Sequence, residues 1–340
     1  MLAVMEQEPQ DSFVHEQRRV PAVGCGARGM GCFLRLAGML ASLGGAGHLR
    51  APSVYGTSTP HTWLIGILMI AAGLMAVFMG ARLSRYGRRH TARVIKDPVE
   101  LPDRAFTLFL RPFEDDKFLY GVKSASTRSL RRRLETPVSR TREEVLVWTF
   151  RRRFGRIVAV GQPGERLPLP GAHRFYLPLN NWKPVVSDLV KRARLVILVA
   201  GTGPGTLWEL TEVVRLLPPE RLLVLVLSDE AGYERFREAV PKSFENRAKE
   251  LRDSGDLPVT APPFPEYPAL RDPDTPTKWI GLQGLIHFSS SWQPTFTRAD
   301  PTAVWALTLQ GRVRKVHRRQ ILPVLKRTAE NTASTTPDGS

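Results

Sequence analysis

Between Thr62 and Ala81 the chain runs for 20 residues, TWLIGILMIAAGLMAVFMGA, without a charged side chain. As an α-helix this stretch is ~30 Å long, the thickness of a bilayer's hydrocarbon core, and helices buried in soluble cores rarely avoid charge for so long. The run predicts a membrane span over about 62–81. Arg82, Arg85, Arg88, Arg89, Arg93 and Lys96 follow it, whereas Arg50 is the only Lys or Arg in the 20 residues before it. Basic flanks of spans stay inside the cell, so the C-terminal part is expected on the cytoplasmic side of the cell (inner) membrane.

A weaker candidate span lies at about 31–49, rich in glycine and interrupted by Arg35 and His48. If it inserts, the two segments form a hairpin with Arg18, Arg19 and Arg28 also inside and the loop 51–61 outside. Arg35 would then snorkel, and the glycines would let the helices approach closely. Residues 1–28 read as a loose, disordered tail, 29–81 as the membrane region, and 82–104 as a basic juxtamembrane connector. Gly24-Cys25-Gly26-Ala27-Arg28-Gly29 spells G-x-G-x-x-G, but it follows no strand and has no acidic residue some 20 positions on, so it is discarded as a dinucleotide site. With only Cys25 and Cys32, neither a disulfide framework nor a cysteine zinc site fits. No H-E-x-x-H and no i,i+4 histidine pair occurs, so no metal is expected.

Beyond the connector the pattern alternates. AFTLFLR (Ala105 to Arg111) reads as a first strand, and Thr141-Arg-Glu-Glu144 opens a helix with Leu146, Phe150 and Phe154 as its core stripe, closed by Arg151 to Arg153 and stopped by Gly155. Arg156 to Val160 is a second strand. A helix over 182–193, the strand LVILVA (Leu195 to Ala200), a helix from Thr206 to Leu217, the strand Arg221 to Leu227 and a helix over 231–251 follow. A segment at 252–278 with seven prolines reads as an excursion without a core. Gly284 to Ser289 is the last strand, Pro301 to Arg319 the last helix, and 328–340 a disordered polar tail. Strands apolar on both faces and separated by helices predict a flavodoxin-like doubly wound parallel sheet of about five strands over 105–327. Ligands of such sheets bind at the carboxyl ends of the strands, which directs attention to the loops after Arg111, Val160, Ala200 and Leu227.

In the third of these loops, Gly201-Thr-Gly-Pro-Gly205 leads into TLWELTEVVRLL. Amides of Gly203, Gly205 and Thr206 at a helix N-terminus suit an anion or a ribose, and Glu209 lies one turn into the helix. A carboxylate beside a ribose can stabilise or attack an oxocarbenium-like centre. Gly205-Thr206-Leu207-Trp208-Glu209-Leu210 resembles the G-T-x-x-E-[IL] element of nucleoside deoxyribosyltransferases, in which the glutamate is the nucleophile. The same stretch resembles the [ST]-x-W-x-x-x-E element of TIR domains, whose enzymatic members cleave NAD. The first resemblance implies Glu209 as the catalytic residue, the second Glu212. With FLRPF (Phe109 to Phe113) and the N-terminal spans, the chain resembles bacterial membrane proteins carrying a TIR-like cytoplasmic domain, over about 106–228. The deoxyribosyltransferase pattern has an aspartate where this chain has Gly203, and the TIR pattern a serine where Thr206 stands.

The resemblance implies cleavage or transfer of an N-glycosidic bond, a hydrolase or transferase activity, with NAD or another nucleotide as substrate or ligand and no resident cofactor. The alternative is a non-catalytic module that senses a nucleotide or signals by self-association. Gly203, Gly205, Thr206, Trp208, Arg111 and Asp115 are the candidate ligand-binding residues, with Arg111 for a phosphate and Asp115 or Asp116 for a sugar hydroxyl. A purely structural reading competes: Thr206-x-x-Glu209 also spells a helix capping box.

Charge narrows the partners. Lys and Arg number 49 against 32 acidic residues, a net +17. Residues 128–156 hold ten arginines, and 311–327 seven basic residues and no acidic one. Neither run belongs to a known nucleic-acid-binding module, and Phe150 and Phe154 in the first are read as a core stripe, so the lipid bilayer and its anionic headgroups are the expected partners, and nucleic acid is not.

Overall fold

The computed structural model describes residues 20–50, 60–92, 94–95, 101–112, 142–161, 171–176, 182–274 and 281–334. At the N-terminal end, two long helices, α1 (Pro21–Arg50) and α2 (Pro60–His90), pack against each other as an antiparallel pair. Both are long and apolar enough to cross a membrane. α1 starts inside the stretch read as a tail, where Pro21 suits a first helical position, and α2 continues through the first nine residues of the expected connector.

The buried residues of α1 are Gly24, Gly31, Gly38 and Gly45, spaced by seven, and α2 carries Gly66, Gly73, Gly80 and Gly87 at the same spacing. Every seventh residue of a helix returns to nearly the same face after two turns. The two sets therefore form one seam, Gly24 against Gly87, Gly31 against Gly80, Gly38 against Gly73 and Gly45 against Gly66. A Cβ on Gly24, Gly31 or Gly45 would lie 2.9, 2.6 or 2.6 Å from the carbonyl oxygen of its partner glycine, so only glycine permits this approach. The stems of Arg28 and Arg35 lie over Gly87 and Gly80. The G-x-G-x-x-G string is helical, and its first glycine belongs to this seam. Large apolar side chains face outward, among them Phe33, Leu36, Leu40, Leu43, Leu64, Leu68, Met75 and Met79.

The rest is an α/β domain on one eight-stranded, mostly parallel sheet. In chain order the strands are β1 (Val94–Ile95), β2 (Phe106–Leu110), β3 (Arg156–Gly161), β4 (His173–Tyr176), β5 (Leu195–Val199), β6 (Leu222–Val226), β7 (Gly284–Phe288) and β8 (Pro294–Arg298). The helices are α3 (Arg142–Phe154), α4 (Trp182–Arg192), α5 (Pro204–Leu216), α6 (Glu230–Asp253), α7 (Leu309–Val316) and α8 (Leu322–Ser334), the last two joined by a π-helical turn, His317–Ile321. Across the sheet the order is β1-β4-β3-β2-β5-β6-β7-β8. Alternate residues of each strand enter opposite layers, as pleating requires. Leu108, Val196, Leu198 and Val224 pack under α4, α5 and α6, while Phe109, Ile197, Leu223 and Leu225 pack with Leu146, Phe150 and Phe154 of α3 and Leu325 of α8.

Four sequence expectations need correction. The sheet has eight strands instead of about five; β1, β4 and β8 are short or partly polar and lie in stretches read as connector or loop. The strand at Gly284 runs antiparallel to β6. The proline-rich stretch explains why: after α6 it folds back along that helix, placing Phe264 on Phe236 and Tyr267 on Tyr233, with the Tyr233 hydroxyl donating to the Pro265 carbonyl at 2.7 Å. It thus returns the chain to the carboxyl end of β6, where the Gln283 amide donates to the Val226 carbonyl (2.8 Å) and β7 begins in the reverse direction. The excursion is therefore part of the core. Finally, the chain stays helical to Ser334, with Thr328 and Thr332 buried in the segment read as a tail.

Candidate functional site

The chain leaves β2 toward β3 on one side and comes back to β5 on the other, so the order of strands reverses between β2 and β5. The loops after these two strands meet at the carboxyl ends of β2 and β5, the place where open α/β sheets generally form a ligand crevice. Arg111 follows β2 directly, and Gly201 stands just beyond β5. A side chain at Gly201 would run into the Pro112 ring, so this glycine lets the two loops touch.

α5 begins earlier than the sequence suggests. Gly203 is its N-cap, in extended conformation (φ −63°, ψ 141°), and Pro204 takes the first helical position. Extended backbone is what a residue preceding proline prefers, so Gly203 is not required for the turn. Leu207 donates its amide to the Gly203 carbonyl at 3.0 Å. Proline has no N–H, so the amides of Gly205 and Thr206 are the first-turn donors of α5 with no acceptor within the helix. This shift removes the capping box: Thr206 is a buried third helical residue, and the cap carries no side-chain hydrogen bond.

Glu209 is therefore not explained as a cap. It is only 8 % exposed, and burial pushes its carboxyl up to about 8, against a smaller opposing pull from the Arg111 guanidinium. Arg111 is itself buried, 4 % exposed. The two charges expected at this sheet edge are thus brought together: a carboxyl that is largely protonated at neutral pH and the cation that lowers its proton affinity.

Glu212, one turn on, sits in the opposite environment. It is buried, yet its oxygens accept from Ser187 Oγ (2.7 Å), Arg215 Nη2 (2.5 Å) and Nε (3.0 Å), and Arg247 Nη2 (3.1 Å). These donors outweigh burial and hold the carboxylate down at about 2. Glu212 thus ties α4, α5 and α6 together. Ser187 and Arg247 escaped sequence reasoning, since nothing local marks residues 25 and 35 positions away as partners of one carboxylate.

No protein-family model, curated protein or solved structure matches this chain.

Trp208 turns away from the crevice. Its ring packs edge-on against Trp182, with centroids 4.9 Å apart, and Lys183 and Arg247 lie 5.3 and 5.6 Å from its centre. With Gly205 it lines a cleft on the outer side of α5 that Glu209 does not reach. The six predicted ligand-binding residues thus separate into Arg111 and Thr206 near Glu209, Gly203 at the cap, Gly205 and Trp208 on the outer cleft, and Asp115. Asp115, with Glu114 and Asp116, lies outside the described residues.

Proposed function

We propose that this protein is a membrane-anchored, cytoplasmic α/β enzyme that breaks or transfers the N-glycosidic bond of a nucleotide in the crevice between β2 and β5. The observation that carries the proposal is Glu209: a buried carboxyl beside Arg111, at the strand-order reversal, with no capping role. Burying an acid without fully compensating donors costs stability, and such groups gather at functional sites. The parallel order β3-β2-β5-β6 supports a flavodoxin-like core, related to TIR domains and deoxyribosyltransferases, to which β7 and β8 are added. The outward apolar surface of the glycine-seamed hairpin supports insertion in a bilayer, with the basic end of α2 on the cytoplasmic side, against anionic headgroups.

A carboxyl protonated at neutral pH acts as a general acid, donating its proton to a departing base. This favours nucleotides whose base is neutral before it leaves. Nicotinamide in NAD is already cationic on its glycosidic nitrogen and gains nothing from such a donor. Arg111 would hold the phosphate, and the amides of Gly205 and Thr206 the sugar hydroxyls or a second anion.

The test is to incubate the full chain in lipid nanodiscs with AMP, inosine, deoxyadenosine and NAD and to follow release of free base by chromatography. The expected result is release from the first three that Glu209→Gln abolishes and that declines as pH rises through about 8. NAD cleavage that rises with pH would instead make Glu209 an ionised nucleophile or stabiliser. Saturable nucleotide binding without turnover would identify a sensing module, a reading favoured by the low exposure of Glu209; absence of both would remove the site.

A further inference from the structure

The outer cleft is a separate feature from the crevice of Glu209, and it has the chemistry of a binding site. It lies between the first turn of α4, the first two turns of α5 and the middle of α6, and has a volume of about 520 Å³, within the usual range for small-molecule sites. Two tryptophans, Trp182 and Trp208, supply flat apolar surface. Around them stand Lys183, Lys242 and Arg247, against one lining carboxylate, Glu250. That carboxylate is already paired with Arg247 at 2.9 Å, while Lys183 and Lys242 make no ion pair among the described residues. Both lysines are exposed.

Two further observations concern the floor. The indole Nε1 of Trp208 is shielded from solvent and has no hydrogen-bond partner among the described residues. A side chain on Gly205 would meet nothing within 4 Å, so the first turn of α5, with its unused amide, opens onto the cleft. Aromatic faces, excess positive charge and a helix N-terminus together select a flat ring joined to an anionic group.

We propose that this cleft binds a planar aromatic anion, with the ring against Trp182 and Trp208 and the negative charge between Lys183, Lys242 and the amide of Gly205. Arg247 links the cleft to the framework, because the same guanidinium lies over Trp208 and bonds Glu212 and Glu250. The cleft is independent of the activity proposed for Glu209.

Calorimetric titration of the full chain carrying Glu209→Gln, which does not line the cleft and would not consume the probe, tests this in lipid nanodiscs with AMP as the probe, adenosine as the ring without the charge, and ribose 5-phosphate as the charge without the ring. AMP should bind saturably, with both partial probes at least roughly tenfold weaker. Exchanging the exposed pair, Lys183→Glu with Lys242→Glu, should abolish AMP binding at this cleft and leave the melting temperature unchanged. Trp208→Leu should weaken binding by roughly tenfold. Arg111→Gln, which alters only the crevice, should leave this binding intact. Binding that survives the double lysine exchange but disappears in Arg111→Gln would assign AMP to the crevice and overturn the proposal, as would the absence of AMP binding or equal affinity for adenosine.

Discussion

The hairpin and the sheet domain are packed inside out with respect to each other. In the hairpin the seam consists of glycines 24, 31, 38 and 45 against 66, 73, 80 and 87, and leucine, methionine and phenylalanine cover the outside. In the sheet domain Leu108, Leu198, Val224 and Phe109 are fully or almost fully buried, and charge covers the outside. Water rewards the second arrangement through the hydrophobic effect; the first is the arrangement a lipid surrounding would favour, because that drive vanishes there between helices and close backbone approach takes its place. Acidic groups differ as well. Residues 18–96 contain no Asp or Glu, whereas α5 alone holds two buried glutamates.

The contrast can be broken from either side. Leu198→Ala, in the centre of the sheet, should cost about 4 kcal/mol in chemical denaturation of the domain and leave the hairpin intact. Next in size is Glu212→Ala, which strips Arg215 and Arg247 of their shared carboxylate; a loss of about 3 kcal/mol is expected, since both arginines keep some solvent contact. The reverse experiment in the hairpin, Gly38→Leu, enlarges a side chain instead of truncating it. It should cost about 2 kcal/mol and push the helices apart, seen as a longer distance between spin labels at Leu43 and Leu68, with the domain's melting temperature unchanged.

Acid and alkali sharpen the same contrast. The folded value for Glu212, about 2, lies below the ordinary 4.5, so its stabilisation is complete above about 4.5 and disappears as pH falls toward 2. Glu209 has the opposite sign. Its folded value, about 8, lies above 4.5, so the folded state holds the proton more tightly and stability declines as pH rises between the two values. Glu209→Gln should remove that decline, so the variant gains on the parent by about 1.4 kcal/mol for each pH unit in thermal melts from pH 5 to 7. The hairpin, without carboxylates, should show no acid slope between pH 2 and 5.

Much of the domain was legible because local pattern and burial coincide. LVILVA and RLLVLVL are strands buried on both faces, the stripe Leu146, Phe150 and Phe154 faces the core, and Gly155, at φ +73°, ends its helix. The proline-rich stretch was not legible, because its aromatic contacts with α6 join residues about 30 positions apart without any periodicity. The start of α5 was hidden by Thr206-x-x-Glu209, a valid capping pattern displaced by Pro204, which takes the first helical position two residues earlier.

By itself the sequence determined the alternation of strands and helices, the two apolar helices and the loop in which to look, because periodicity, charge distribution and turn chemistry act over a few residues. Only the tertiary structure decided the reversed direction of β7, the glycine-to-glycine seam, and the fates of two glutamates three residues apart. Those outcomes depend on what each group meets across the fold. Glu209 meets buried surface and one cation, and Glu212 meets three donors from α4, α5 and α6.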